Sequence, residues 1–101
     1  VTNRQKIAAV ATAILGGGID PFAGCRRIVE LVGNAERDDA DILTIRGIES
    51  ETDHLPLPEH RALWDPTVLA EKDIKIQAYL KLVGPVLREA CFRLAAKWRA
   101  S

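Results

Sequence analysis

Residues 65–98 read DPTVLAEKDIKIQAYLKLVGPVLREACFRLAAKW, and the spacing of their apolar members decides the fold. Leu69, Ile76, Leu80, Val83, Leu87, Ala90, Leu94 and Trp98 form one stripe. After Ile76 its steps are four, three, four, three, four and four. A helix that buries one face repeats in this way, whereas a half-buried strand alternates residue by residue. Asp65-Pro66 opens the run with a capping carboxylate and a proline at the first helical position, where its missing N–H costs nothing. The stripe crosses Gly84-Pro85 without losing register, yet an interior proline removes a helical hydrogen bond and clashes with the preceding turn. A straight helix from Pro66 to Arg99 would run ~51 Å. A domain of this size has a radius of gyration of ~13 Å. The sequence therefore predicts a kink or break at Gly84-Pro85, with two helices lining the same core.

The same periodicity extends towards the N-terminus. Ile7, Val10, Ala11, Ile14 and Leu15 share a face of a helix over 4–15, which stops at Gly16-Gly17-Gly18. The apolar stretch 7–19 falls short of the ~20 residues a membrane span needs. Its one-sided periodicity marks a core helix rather than a secretory leader. Asp20-Pro21 repeats the cap-plus-proline start, and Phe22, Cys25, Ile28, Val29 and Val32 continue a second helix to Gly33-Asn34. Gly24, inside it, marks the close approach of a neighbour. Asp38, Asp39 and Asp41 cluster at the positive end of a third helix, carried on by Ile42, Ile45 and Ile48 and fraying near Asp53. Leu55-Pro56-Leu57-Pro58 interrupts regular helix, and a short turn spans 59–64. The expectation is a single all-α domain over 1–101, a compact bundle of about five helices.

The chain has 101 residues, 48% apolar and 28% charged, a globular balance that argues against disorder. Fourteen Lys and Arg offset fourteen Asp and Glu, so net charge disfavours a basic nucleic-acid module. The charge is unevenly placed: residues 1–33 carry +2, residues 34–73 carry −7 and residues 74–101 carry +5. An acidic helix lying beside a basic one accounts for such a pattern internally. The functional reading is an acidic face that steers a basic partner. Cys25 and Cys91 are too few for a disulfide scaffold and read as small buried hydrophobes, which fits a reducing cytoplasm.

The densest polar constellation is Glu49-Ser50-Glu51-Thr52-Asp53-His54, with His60 beyond it. Glu49 and Asp53 stand four apart and share a helical face, and with His54 they could hold a divalent metal or divide acid and base roles. Neither an HExxH motif nor an EF-hand loop is present, and Ser, Thr and Asp at a helix end also serve local capping. No GxSxG elbow or Walker fingerprint occurs, and the triple glycine is a helix stop. Arg88, Arg93, Lys97 and Arg99 surround Trp98 and could meet phosphates, although Trp98 lies on the core stripe.

The stretches 14–26 (ILGGGIDPFAGCR) and 49–56 (ESETDHLP), followed by Arg61 and Trp64, resemble short bacterial helical proteins of unknown function with a "SETDhLP" segment. That resemblance points to Glu51, Asp53 and His54 as the positions to watch. In size, class and charge the chain is also similar to small bacterial immunity proteins that neutralise toxins, which implies a non-enzymatic inhibitor.

The sequence is thus read as a cytoplasmic protein-binding domain that presents Glu49, Glu51, Asp53 and Asp65 to a basic protein, with His54 and Trp64 as anchors. It acts by occlusion and needs no cofactor or metal. The rival readings are a metal-assisted hydrolase using Glu49, Asp53 and His54, and a nucleic-acid-binding regulator using the last helix. Leu55, Leu57 and Leu82 remain available to close the core or a homodimer.

Overall fold

Every helix begins where a side-chain oxygen can take the N–H groups that the first turn leaves free. A computed structural model describes residues 1–55 and 58–101. Helix α1 (Asn3–Gly16) opens on a capping box: the Thr2 hydroxyl accepts from Gln5 N–H at 3.1 Å, and the Gln5 side chain accepts from Thr2 N–H at 3.0 Å. Helix α2 (Pro21–Leu31) starts under Asp20, which accepts from the N–H groups of Phe22 and Ala23. Helix α3 (Ala40–Thr52) starts under Asp39, and helix α4 (Pro66–Trp98) under Asp65. A 3-10 turn covers Pro58–Leu63, and no strand occurs among the described residues. The expected role of Leu57 lies outside the described residues.

The helices pack in a ring, α1 on α2, α2 on α3, α3 on α4 and α4 back on α1. Their inward faces form one core that includes Ile7, Ala11, Cys25, Ile28, Ile42, Ile45, Leu87, Cys91 and Leu94. Gly17, at φ +77°, supplies the left-handed residue that ends α1. Gly24 lets α2 close on α1, because a Cβ there would stand 2.5 Å from Ile14 Cγ1 and 2.6 Å from its Cδ1. No helix among the described residues is long and apolar enough to cross a membrane.

Two expectations require correction. The bundle has four α-helices rather than about five, because α4 runs unbroken for 33 residues through Gly84 and Pro85. Proline's own φ suits a helix, and the hydrogen bond it removes is the one to the carbonyl of Lys81. Both Lys81 and Pro85 are exposed, so no polar group is stranded in the core. The second helix also stops earlier, at Leu31, with Val32 already extended.

The length of α4 shapes the molecule, which measures 44 × 24 × 24 Å. All its fully buried side chains lie from Leu87 onward; between Pro66 and Val86 none is fully buried, although Ile76, Tyr79, Leu80 and Val83 pack against the core from one side. The N-terminal part of α4 is therefore an arm, covered on one side only.

Candidate functional site

The two ends of α3 treat their carboxylates differently. At its start, Lys97 Nζ donates to Asp39 at 2.7 Å and to Asp41 at 2.9 Å, while Arg93 Nε donates to Asp41 at 2.9 Å. Burial pushes the Asp39 carboxyl up, but Lys97 and the N–H groups of Ile42 and Asp41 outweigh it and hold the group below its ordinary range. Burial likewise pulls the Lys97 ammonium down, and its two carboxylate partners outweigh that and raise it. Part of the charge asymmetry is thus internal pairing between α3 and α4.

At the other end of α3, Glu49, Glu51 and Asp53 have no Lys or Arg within 4.0 Å among the described residues. Only His54 Nδ1 approaches, 4.0 Å from Asp53 Oδ1. Glu49 is half-buried, and Glu51, Asp53 and His54 are exposed. Three carboxylates gather where the helix dipole is itself negative, and no basic residue occupies the last turn of α3.

Arg26 makes this end tenable. From α2, its Nη2 donates to the carbonyls of Thr52 and Leu55, each at 2.7 Å, so a guanidinium caps the C-terminus of α3. Among the described residues its Nε is buried without a hydrogen-bond partner. Thr52, also buried, returns its hydroxyl to the Ile48 carbonyl at 2.8 Å. Arg26 belongs to the first stretch singled out in the sequence and Thr52-Leu55 to the second, so the fold joins the two. Sequence reasoning missed this contact, because an arginine twenty-six and twenty-nine residues from its two acceptors leaves no local pattern.

The turn that Arg26 fixes forms one wall of a groove of about 290 Å³. Glu51, Thr52, His54 and Leu55 face Lys72, Lys75, Ile76 and Tyr79 of α4 across it. Burial, then the charge of Glu51, raises the Tyr79 phenol. The groove therefore has an apolar floor, one carboxylate wall and one ammonium wall. Trp64 is linked to it through Lys72, whose Nζ lies 5.2 Å from the centre of the indole ring. The 3-10 turn is pinned to α4 by Arg61, which donates to Asp73 at 2.7 Å.

The candidate residues therefore separate. Glu51 and His54 line the groove; Glu49 and Asp53 share its helix end; Trp64 stands beside Lys72. Asp65 caps α4, its Oδ1 accepting from Thr67 and Val68 N–H at 2.8 and 3.3 Å. Glu51 and His54 are three residues apart, a spacing that on a continuous helix gives a carboxylate-imidazole metal pair. Here α3 ends at Thr52 and His54 falls in the following turn. Among the described residues no three His, Cys, Asp or Glu side chains converge to hold a metal ion, so the hydrolase reading lacks a ligand set there.

The remaining candidates are occupied structurally. Cys25 and Cys91 are buried, and burial pushes their thiols up to about 12 and about 11. Trp98 is 6% exposed, with Arg4 and Lys97 over its ring at 5.3 and 5.2 Å. With Arg93 and Lys97 paired to α3, the basic C-terminal face keeps Arg88 and Arg99 around an exposed Phe92.

The fold and the groove define a small all-α protein with a mixed-charge surface cleft. Compared with known families, curated proteins and solved structures, the chain matches none.

Proposed function

We propose that this chain is a non-enzymatic protein-binding domain that grips a basic, amphipathic segment of a partner protein at the C-terminal end of α3. The observation that carries the reading is the contrast within one helix. The carboxylates at its start are neutralised by Arg93 and Lys97, while at its end Glu51 lines a groove and, among the described residues, Glu49, Glu51 and Asp53 have no Lys or Arg beside them. A cationic side chain of the partner would meet these carboxylates, and an apolar one would rest on Leu55, Ile76 and Tyr79. Lys72 and Lys75 would take backbone carbonyls or an acidic side chain of the same segment, which gives it a direction. Such charges set encounter rate and specificity more than raw affinity. In its sharpest form the reading is an immunity-like inhibitor that acts by occlusion, with no bond made or broken.

The test is affinity capture from a nuclease-treated lysate of the native host at near-physiological salt. It compares the wild type with a triple variant, Glu49→Lys, Glu51→Lys and Asp53→Lys. A stoichiometric basic protein held by the wild type and lost by the variant supports the reading. Equal retention by both, or capture that disappears with nuclease, overturns it.

A further inference from the structure

The arm of α4 is apolar on its outer face as well as its inner one. Ile74, Leu82 and Val86 are 73, 75 and 51% exposed, and Phe92 beyond them is 69% exposed. A helix apolar on both sides is ordinarily buried on both, and contiguous exposed apolar surface marks an interaction site. We propose that two copies of this chain pair antiparallel through the outer face of α4, about a two-fold axis at Leu82.

The occupant follows from a symmetry in the sequence of that face. From Glu71 the positions Lys75, Ala78, Leu82, Val86, Glu89 and Arg93 follow at steps of four, three, four, four, three and four. These steps make an 11-residue repeat, close to the turn of a straight helix, and they are palindromic about Leu82. In an isologous antiparallel pair, the residue n places before the axis meets the residue n places after it in the second copy. Leu82 then meets itself, and small Ala78 meets Val86. Lys75 meets Glu89 and Glu71 meets Arg93, so every charge at the interface meets its opposite. Arg93 has already given Nε to Asp41, and its Nη1 lies 4.0 Å from Glu89 of its own helix, but the side chain is 55% exposed and its Nη2 is left for Glu71 of the second copy. Ile74 and Phe92 lie on one flank of the stripe. Across the axis they come within ~3 Å of each other along the helix direction, less than one turn. A uniformly basic or acidic partner would match only half of these charges. A second copy matches them all.

The pairing buries the exposed face of the arm and puts Pro85, which interrupts no buried ladder, beside the axis. It shares Lys75 with the groove and otherwise uses side chains that do not line it.

Sedimentation equilibrium across a concentration series tests the proposal, with circular dichroism as a check on folding. The wild type is expected to dimerise. Leu82→Lys sets two ammonium groups against each other at the axis and should raise the dimer Kd by ~10-fold or more, since like charges in an interface cost several kcal/mol. Leu82 is exposed in the monomer, so this variant keeps its helical spectrum. Glu89→Lys should weaken the dimer, and Lys75→Glu with Glu89→Lys should restore it. A wild type that stays monomeric to millimolar concentration overturns the proposal. A dimer indifferent to Leu82→Lys removes it from this face, and a double variant that fails to recover refutes the register.

Discussion

Gly24→Ala should destabilise the protein, although alanine is the better helix former. A helical Gly→Ala change ordinarily gains ~0.8–1.0 kcal/mol. Here the new Cβ would stand 2.5 and 2.6 Å from two carbons of Ile14 and 3.4 Å from Ile19 Cγ2. Carbon atoms settle at about 3.5–4.0 Å, so α1 and α2 must separate by about an ångström or Ile14 must leave its place. Ile14 is 6% exposed and β-branched in a helix, which leaves it few alternative rotamers. Overpacking of this kind costs ~1–3 kcal/mol, so with contacts this short the net loss is up to ~2 kcal/mol. For a domain of this length that lowers Tm by up to roughly 15 °C. Ile14→Ala alone should cost ~2–4 kcal/mol by opening a cavity. In that background Gly24→Ala becomes neutral or stabilising, because its methyl enters the space vacated. Thermal or urea unfolding of the four proteins closes the cycle, with a coupling of ~2 kcal/mol expected. A Gly24→Ala protein more stable than the wild type, or a cycle that shows no coupling, refutes the close approach of α1 and α2.

Three further outcomes follow from the same structure. Asp39→Asn keeps the helix cap but removes the charge that Lys97 binds. The folded Asp39 carboxyl sits below its ordinary value near ~3.9. Its contribution is therefore present above that value and is lost as pH falls through the folded one, so Tm measured below pH ~4 should drop less steeply in the variant. An unchanged acid limb would mean the pairing is absent in solution. Pro85→Ala restores the hydrogen bond to Lys81 at an exposed position and should stabilise the chain by ~1–3 kcal/mol; a fall in Tm would show that α4 does break there. The thiols of Cys25 and Cys91, raised to about 12 and about 11, should react with a chromogenic disulfide at pH 8 only as fast as the protein unfolds. Rapid labelling of the native state would contradict their burial.

Much of the fold was legible because helix starts are local chemistry. Asp20-Pro21 and Asp65-Pro66 each place a carboxylate two and three residues before the N–H groups it accepts, and both open helices. Gly24 declared a contact by having no side chain among larger ones. The break expected at Gly84-Pro85 failed for a physical reason. The stripe's unbroken register already described a single helix, and the penalty for interior proline is modest where the freed carbonyl faces water. The size argument assumed that a helix must stay inside its domain, whereas α4 extends beyond the other three as an arm.

The candidate site was legible only in part. Glu51 and His54 were visible as a polar cluster, and both reach the groove. Its opposite wall, Lys72, Lys75, Ile76 and Tyr79, is ordinary helix in sequence and becomes a wall only because α4 passes the end of α3. Arg26 carries no local signature either, since its acceptors are backbone carbonyls. The carboxylates at Asp39-Asp41 were legible as a helix start, but only packing shows that Arg93 and Lys97 are set against them while, among the described residues, Glu49, Glu51 and Asp53 have no Lys or Arg beside them.

The most direct test of the central claim is an NMR titration of the isotope-labelled chain with the basic partner recovered by capture. The account predicts that amide shifts concentrate at Glu51, His54, Leu55, Lys75, Ile76 and Tyr79, with the Trp64 indole responding, and that Glu51→Lys weakens the binding. Shifts confined to Arg88, Phe92 and Arg99, or binding indifferent to Glu51→Lys, would contradict it.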